Sequence, residues 1–353
     1  MSARLTASVV GGGTGGKLSM RPLAASEQFE LVAAADVRPD VCEALKEEFP
    51  GIRIFTSHKE MFAECPTDIV CVSTWPPSHE EITLDALRLP LKGILVEKPL
   101  GHTAASGRRL LEAVKDKGLP MAVPHNMLTL NTPLEIISRV RGGEIGDLKL
   151  VEIQCNKWDI MNAGIHWLNF FVNLTGNEPM AWVMAACESS TRTFRDGMQV
   201  ETTSVVYGQT AGGVRVVMES GDEVNVGREG TNILFRIVGS AGLIEFWGWK
   251  PGYYILNAAH PKGENVAVEK QEVAGHRAQL ENMARMIDSG KPDYAIPDSA
   301  LLALEICEGA YVSNRHRCKV TFPVAKFAPP PLPDWDPGVP YSGHGGGRDG
   351  RNL

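Results

Sequence analysis

The feature that most constrains this chain is a glycine cluster set between an apolar run and an amphipathic stretch. Gly11-Gly12-Gly13-Thr14-Gly15-Gly16 follows residues 5–10, which read as a strand, and opens a helix predicted to end near residue 25. Gly11, Gly13 and Gly16 fit G-x-G-x-x-G, and Asp36 stands twenty residues beyond Gly16 at the end of the next apolar run. Each glycine has a physical task. Gly11 permits a tight turn, Gly13 lets a pyrophosphate approach the backbone, and Gly16 lets helix and strand pack closely. Thr14, Gly15 and Gly16 then offer free N–H groups and the positive end of a helix dipole to phosphate. A carboxylate at Asp36 accepts hydrogen bonds from ribose hydroxyls and repels a 2′-phosphate, which favours NAD. Arg38 can attract that phosphate instead, so NADP stays open. The match alone is weak, because glycine-rich turns arise by chance; the alternative is such a turn with no ligand, and the strand–turn–helix context favours the dinucleotide.

The surrounding pattern extends the same reading. Strands are predicted at 5–10, 29–37, 52–55, 69–74, 93–96 and 121–123, with helices at 39–49, 79–89 and 103–117 between them. Near-continuous apolar strands alternating with helices indicate a doubly wound parallel sheet covered on both faces. At roughly 150 residues per domain, 353 residues imply about two domains. We therefore expect a dinucleotide-binding domain over 1–124 and a second domain over 125–327; the family resemblance carried by the motifs below implies a Rossmann fold for the first and an α/β domain for substrate binding and oligomerisation for the second. The second half begins with a helix at 133–141, a strand at 149–155 and a helix at 162–174. It then turns to strands, including 204–207, 214–219, 234–238 and 243–246, which suggests a large open, mostly antiparallel sheet. Two helices, 276–288 and 298–314, close it. The Pro- and Gly-rich tail, 328–353, reads as an extended or disordered arm.

Composition removes several classes. A net charge of −7 argues against a nucleic-acid partner, which would need a concentrated positive field. No apolar run reaches about 18 residues, so no membrane-spanning helix is expected, and the N-terminus does not read as a signal peptide. Seven cysteines without a CxxC read as reduced thiols in a cytoplasmic protein. His260, His276 and His316 lack metal-ligand spacing, so no metal site is predicted.

Two further motifs carry chemistry. The fourth strand ends in Ser73-Thr74-Trp75-Pro76-Pro77-Ser78-His79. In an open parallel sheet, ligands bind beyond the C-terminal strand ends, so this loop should line the cofactor crevice; Ser78 either belongs to that crevice or caps the next helix. The fifth strand ends in Glu97-Lys98-Pro99, which on its own is either a solvated turn or part of a site. Together with the glycine fingerprint, these motifs resemble the Gfo/Idh/MocA oxidoreductases over roughly residues 5–325. The resemblance extends to Gly143-Glu144-Ile145-Gly146, Gly239-Ser240-Ala241-Gly242, and Tyr311 with Ser313. It implies NAD or NADP, a sugar, cyclitol or related polyol as substrate, and a homo-oligomer, dimer or tetramer, through the C-terminal sheet. It also implies cofactor contacts from Ser73, Thr74, Trp75, Pro76, His79, Glu97 and Lys98. Lys98 would lie beside the nicotinamide and the reacting hydroxyl, and Lys98-Pro99 would be a cis peptide.

Asn162, His166, Asn169 and Asn173 fall at i, i+4, i+7 and i+11 in an otherwise apolar segment, so they share a helix face. Enclosed polar groups need partners, either protein groups or a ligand's hydroxyls. The family usually places acids where this chain has Asn162 and Asn169. An amide takes no proton, so His166 becomes the expected base and the two amides expected substrate contacts, joined by His125-Asn126 after strand six, at the crevice mouth. Losing two negative charges beside Lys98 also points to a substrate bearing a carboxylate. The reading is hydride transfer between a nicotinamide cofactor and a secondary alcohol of a sugar, cyclitol or sugar acid. Two alternatives stand beside it: a redox-neutral epimerase, lyase or glycosidase with retained NAD, and a non-catalytic nucleotide-sensing regulator.

Overall fold

The computed structural model describes residues 4–328, except 192–193 and 228–229. Most of the 328–353 tail therefore lies outside the described residues. Six parallel strands form the first sheet: β1 (Leu5–Val10), β2 (Phe29–Ala35), β3 (Arg53–Phe55), β4 (Ile69–Val72), β5 (Gly93–Val96) and β6 (Met121–Ala122), in the order β3-β2-β1-β4-β5-β6. Helices α1 (Thr14–Ala24), α2 (Pro39–Glu48), α3 (His58–Glu64), α4 (His79–Ala86) and α5 (Ala104–Asp116) connect them. Side chains alternate across the sheet. Ala7, Val9, Ala34, Cys71 and Leu95 pack with Met20, Leu23 and Leu45 from α1 and α2. Val10, Ala33, Ala35, Val70 and Val96 pack on the other side with Phe62, Ile82 and Leu110 from α3, α4 and α5. Both faces are buried, which is why the strands read as continuous apolar runs.

The rest builds a nine-stranded sheet: β7 (Leu148–Asn156), β8 (Met180–Glu188), β11 (Thr203–Thr210), β12 (Arg215–Gly221), β13 (Ile233–Gly239), β14 (Gly242–Phe246), β15 (Tyr253–Asn257), β16 (Glu264–Val266) and β17 (Val320–Thr321). A separate hairpin pairs β9 (Phe194–Arg195) with β10 (Met198–Gln199). The large sheet is antiparallel except where β7 meets β12. Its inner face, with Val151, Ile153, Val216, Phe235 and Ile244, is covered by α6 (Asn131–Arg141), α7 (Ile165–Leu174) and α9 (Ala295–His316). The opposite face carries Glu152, Arg236 and Glu245 in ion pairs, with Met184 and Val205 exposed. The two Gly-flanked motifs meet where the loop before β7 touches the β13–β14 turn: the Ala241 N–H donates to the Ile145 carbonyl at 2.8 Å and the Ser240 N–H to the Asp147 carbonyl at 2.9 Å.

Helix α8 (Gly275–Ser289) adds a feature not read from the sequence. It follows the second sheet, yet Leu280, Met283, Ala284 and Met286 pack against Ala7, Val9 and Leu95 of the first. The chain therefore returns to its first lobe. Helix α3 was also missed: at seven residues it is too short for a periodic signal.

Candidate active site

The turn after β1 sits where strand order reverses between β1 and β4, the place at which doubly wound sheets bind ligands. Gly11 adopts φ +99°, and a Cβ on it would run into the Ser73 carbonyl. A Cβ on Gly16 would collide with the Gly11 carbonyl, so α1 approaches this turn as closely as only glycine allows. No acid lies in the first turn of α1 itself, so its positive end is left to groups around the turn and to a ligand. Beyond it opens a cleft of about 470 Å³ lined by Gly11, Gly13, Asp36, Arg38, Ser73, Thr74, Trp75 and Ser78, with Val37, Thr56 and Ile82 farther along.

Asp36 closes one side of the cleft. Its carboxylate accepts from the Gly12 N–H at 2.8 Å, the Arg38 N–H at 2.9 Å and the Arg38 guanidinium at 3.1 and 3.3 Å. Burial alone would push its acidity the other way, but the Arg38 side chain and these N–H groups hold the carboxyl below the usual range. Asp36 is thus a fixed anion at the ribose end, and Arg38 reaches across Gly13, within 3.6 Å of where a Cβ would lie. A phosphate-cradling turn without side chains and an anion at its far end fit a dinucleotide.

The loop after β4 divides its tasks. Trp75 is exposed at the rim, and the buried Ser73 hydroxyl has no partner among the described residues. Pro76 begins a short 3-10 turn and is buried. Ser78 does not cap α4; its hydroxyl lies 2.8 Å from that of Thr74 and 2.9 Å from the Trp75 carbonyl. The cofactor contact expected of His79 is corrected by the structure. Its ring is fully buried, with one nitrogen 3.0 Å from the Pro99 carbonyl and the other 2.9 Å from that of Thr74. His79 ties the β4 loop to the Glu-Lys-Pro turn and keeps no nitrogen for a ligand.

Glu97 lies beneath the fingerprint loop, 3.8 Å from where a Cβ on Gly15 would sit. Its Oε1 is 2.5 Å from Nε2 of His276 at the start of α8, and its Oε2 accepts the Lys98 N–H at 3.1 Å. Burial favours the neutral acid, yet the His276 bond and charge, followed by the Lys98 charge, keep Glu97 below the usual range. The Lys98–Pro99 peptide is cis.

Lys98 leaves this turn toward the second half of the molecule, and its Nζ donates to the backbone carbonyl of Asn162 at 3.2 Å. That carbonyl belongs to a π-turn, Ile160–Gly164, leading into α7. The turn is pinned from behind. Asp159 accepts the Asn162 N–H at 2.8 Å and pairs with Arg195 at 2.7 Å. Glu201 accepts the Ile160 N–H at 2.6 Å and the Tyr311 hydroxyl at 2.7 Å.

At the start of α7, the half-buried His166 ring lies 5.2 Å from that of His125, centroid to centroid and edge-on, and 5.9 Å from Trp249. Burial first, then the charges of Lys98, His125 and His276, hold the His166 imidazole well below its usual value. Burial and Lys98 push His125 down to about 3. Both imidazoles are therefore neutral near pH 7 and able to accept a proton. Asn126, beside His125, has a buried Oδ1 without a partner among the described residues.

The polar stripe does not stay together. Asn169 is 1% exposed and its Nδ2 donates to the Ser299 hydroxyl on α9 at 2.9 Å. The substrate contact expected of it is corrected to a bond between helices. Asn173 donates to the Asn169 carbonyl. Two residues beside this site were not assigned roles from the sequence, His276 and Trp249, and no local spacing marks either; His125 was expected, with Asn126, at the crevice mouth. Among the described residues, the one group with metal-ligand geometry is His58, Glu81 and Asp85. Its carboxylates are already paired with Lys59 and Arg88.

The fold and cleft define an NAD(P)-dependent oxidoreductase. Residues 5–125 match the Gfo/Idh/MocA family model, described as an oxidoreductase family with an NAD-binding Rossmann fold. The rhizopine catabolism protein MocA of Rhizobium meliloti is 25% identical over 332 residues, covering 87% of this chain and 94% of that protein. An inositol 2-dehydrogenase of Acidiphilium cryptum is 26% identical over 67% of this chain and 71% of its own. A solved levoglucosan dehydrogenase, in complex with NADH and levoglucosan, superposes with a TM-score of 0.76 at 18% identity, covering 91% of this chain and all of the other. No helix among the described residues is long and apolar enough to cross a membrane.

Proposed function

We propose that this chain oxidises a secondary alcohol of a sugar, cyclitol or sugar acid, or reduces the matching ketone. The reading rests on one observation: Lys98, carried by the turn that lies against the cofactor loop, reaches the π-turn that leads into His166. Gly11, Gly13, Thr14, Gly15 and Gly16 would hold the pyrophosphate, with Asp36 and Arg38 at the ribose. When bound, the nicotinamide supplies the hydride acceptor or donor. Every other task falls to side chains. His166 takes the hydroxyl proton as the carbonyl forms. The Lys98 ammonium donates to the substrate oxygen and stabilises charge growing there. Asn126 and Asn162 orient the neighbouring hydroxyls. The relatives' names, an inositol 2-dehydrogenase and a levoglucosan dehydrogenase, support a polyhydroxylated substrate.

A reducing, cytoplasmic setting follows from reading the seven cysteines, which form no CxxC, as reduced thiols. The open face of the large sheet, with Met184 and Val205 exposed, supports a second copy of the chain as its partner. The test is a panel of sugars, cyclitols and sugar acids with NAD and NADP separately, followed by reduced-nicotinamide absorbance. Absorbance growth with at least one polyhydroxylated alcohol is expected. Product without added cofactor would favour the redox-neutral alternative, and tight cofactor binding without any turnover would favour the regulator.

A further inference from the structure

We propose that His125, with Lys98 and His166, forms a receptor for an anionic group on the substrate, so that the enzyme prefers a sugar acid, an aldonate or uronate, to its neutral counterpart. This rests on the oxidoreductase reading above and assigns His125 as a substrate-binding residue.

The first argument is hydrogen-bond accounting. His125 is fully buried, yet neither ring nitrogen has a partner among the described residues, and Nδ1 of His166 has none either. Leaving such groups unmet costs about 1–3 kcal/mol each. The fold can satisfy a buried histidine when nothing else is required of it, since His79 is equally buried and both its nitrogens face carbonyls. Three free imidazole nitrogens side by side therefore mark a place kept for a ligand.

The second argument is charge. Among the described residues the Lys98 ammonium makes no ion pair; its recorded bond is to a neutral carbonyl. The neighbouring acids are committed elsewhere: Glu97 to His276, and Asp159 to Arg195. Positions 162 and 169 carry amides. The groups facing His125 are thus Lys98 from the β5 turn and His166 from α7, with His276 on α8 bearing on His166. All are cations or proton acceptors. Burial first, and then the Lys98 charge, disfavours protonation of both imidazoles. A carboxylate reverses that balance: it pairs with Lys98 and accepts from an imidazole that takes up a proton on binding. A neutral polyol would fill the hydrogen bonds and leave the ammonium unpaired. Because His125 lies edge-on to His166, the anionic group sits close to the reacting hydroxyl.

The test uses the full chain loaded with NAD. Gluconate, glucuronate and galacturonate are compared with glucose, galactose and myo-inositol, by calorimetric titration and by reduced-nicotinamide absorbance. At least one acid is expected to show kcat/KM ten or more times that of its neutral counterpart. Its binding enthalpy is expected to depend on the buffer at pH 7, because a proton is taken up. His125→Gln is expected to lower the acid-to-neutral ratio at least tenfold, with NADH titration confirming an intact fold. If that variant does not fold, proton uptake by the unaltered chain still decides. Neutral sugars turning over as well as the acids, or acids binding without proton uptake, would overturn the anion receptor and leave the dehydrogenase standing. A chain that binds NAD and turns over neither class would overturn both.

Discussion

In the proposed reaction Lys98 brings a positive charge to the point where the alcohol oxygen gains negative charge, with a neutral imidazole beside it. Replacing the ammonium removes stabilisation needed most in the transition state. Lys98→Met is expected to lower kcat by about 10²–10³ while NADH affinity, read by fluorescence titration, stays within about threefold, since the adenosine and pyrophosphate contacts lie elsewhere. The pH dependence follows from the depressed His166 value. A base must be unprotonated to act, and a lowered pKa keeps it so into more acidic solution. Oxidation kcat/KM is therefore expected to stay flat from neutrality down through about 6.5, the ordinary imidazole value, and to fall only below it. A falling limb centred at or above that value would remove His166 as the base. At this scale the sequence was informative wherever chemistry is local. The glycines and Asp36 were legible because their spacing prescribes their geometry. Where Asn169 and His79 point was not, because a position on a helix face does not say which neighbour it meets.

The π-turn shows what an element contributes beyond its residues. A turn with an extra residue breaks the i, i+4 relation of a regular helix. Asn162 consequently presents its backbone carbonyl to Lys98, while His166 begins the following regular helix. The stripe that spacing predicted as one face is split by this turn, and its α-helical spacing carries no signal of the break. Asp159 caps the turn and holds Arg195, so Asp159→Ala frees a backbone donor and strands a guanidinium. The expected cost is about 1–2 kcal/mol for the lost cap, read by denaturant unfolding. A fall in kcat should accompany it, because the carbonyl that positions Lys98 is released. Unchanged stability and kcat together would contradict this positioning role. Most other strands and helices of both sheets were legible, because long apolar runs and 3.6-residue periodicity are properties of a segment alone.

At the scale of the molecule, Glu97 and His276 form a buried hydrogen-bonded contact between the fingerprint lobe and α8. Their side chains are 9% and 6% exposed, so removing one partner leaves a charge with little water. His276→Leu is expected to destabilise by about 3–5 kcal/mol, measured by chemical denaturation near pH 7. The sign with pH follows from the lowered Glu97 value. Its contribution is complete above about 4.3, the ordinary carboxyl value, and is lost as pH falls through the lower native one. The stability gap between the two proteins should therefore narrow in acid.

The return of α8 also governs how this protein can be made. Apolar side chains near the C-terminal end of the chain complete one face of a sheet that starts at Leu5. A ribosome thus makes the chain as far as Met286 before that face is complete. Until then α1 and α2 cover only part of it, and the strip that meets Leu280, Met283 and Met286 stays open to water.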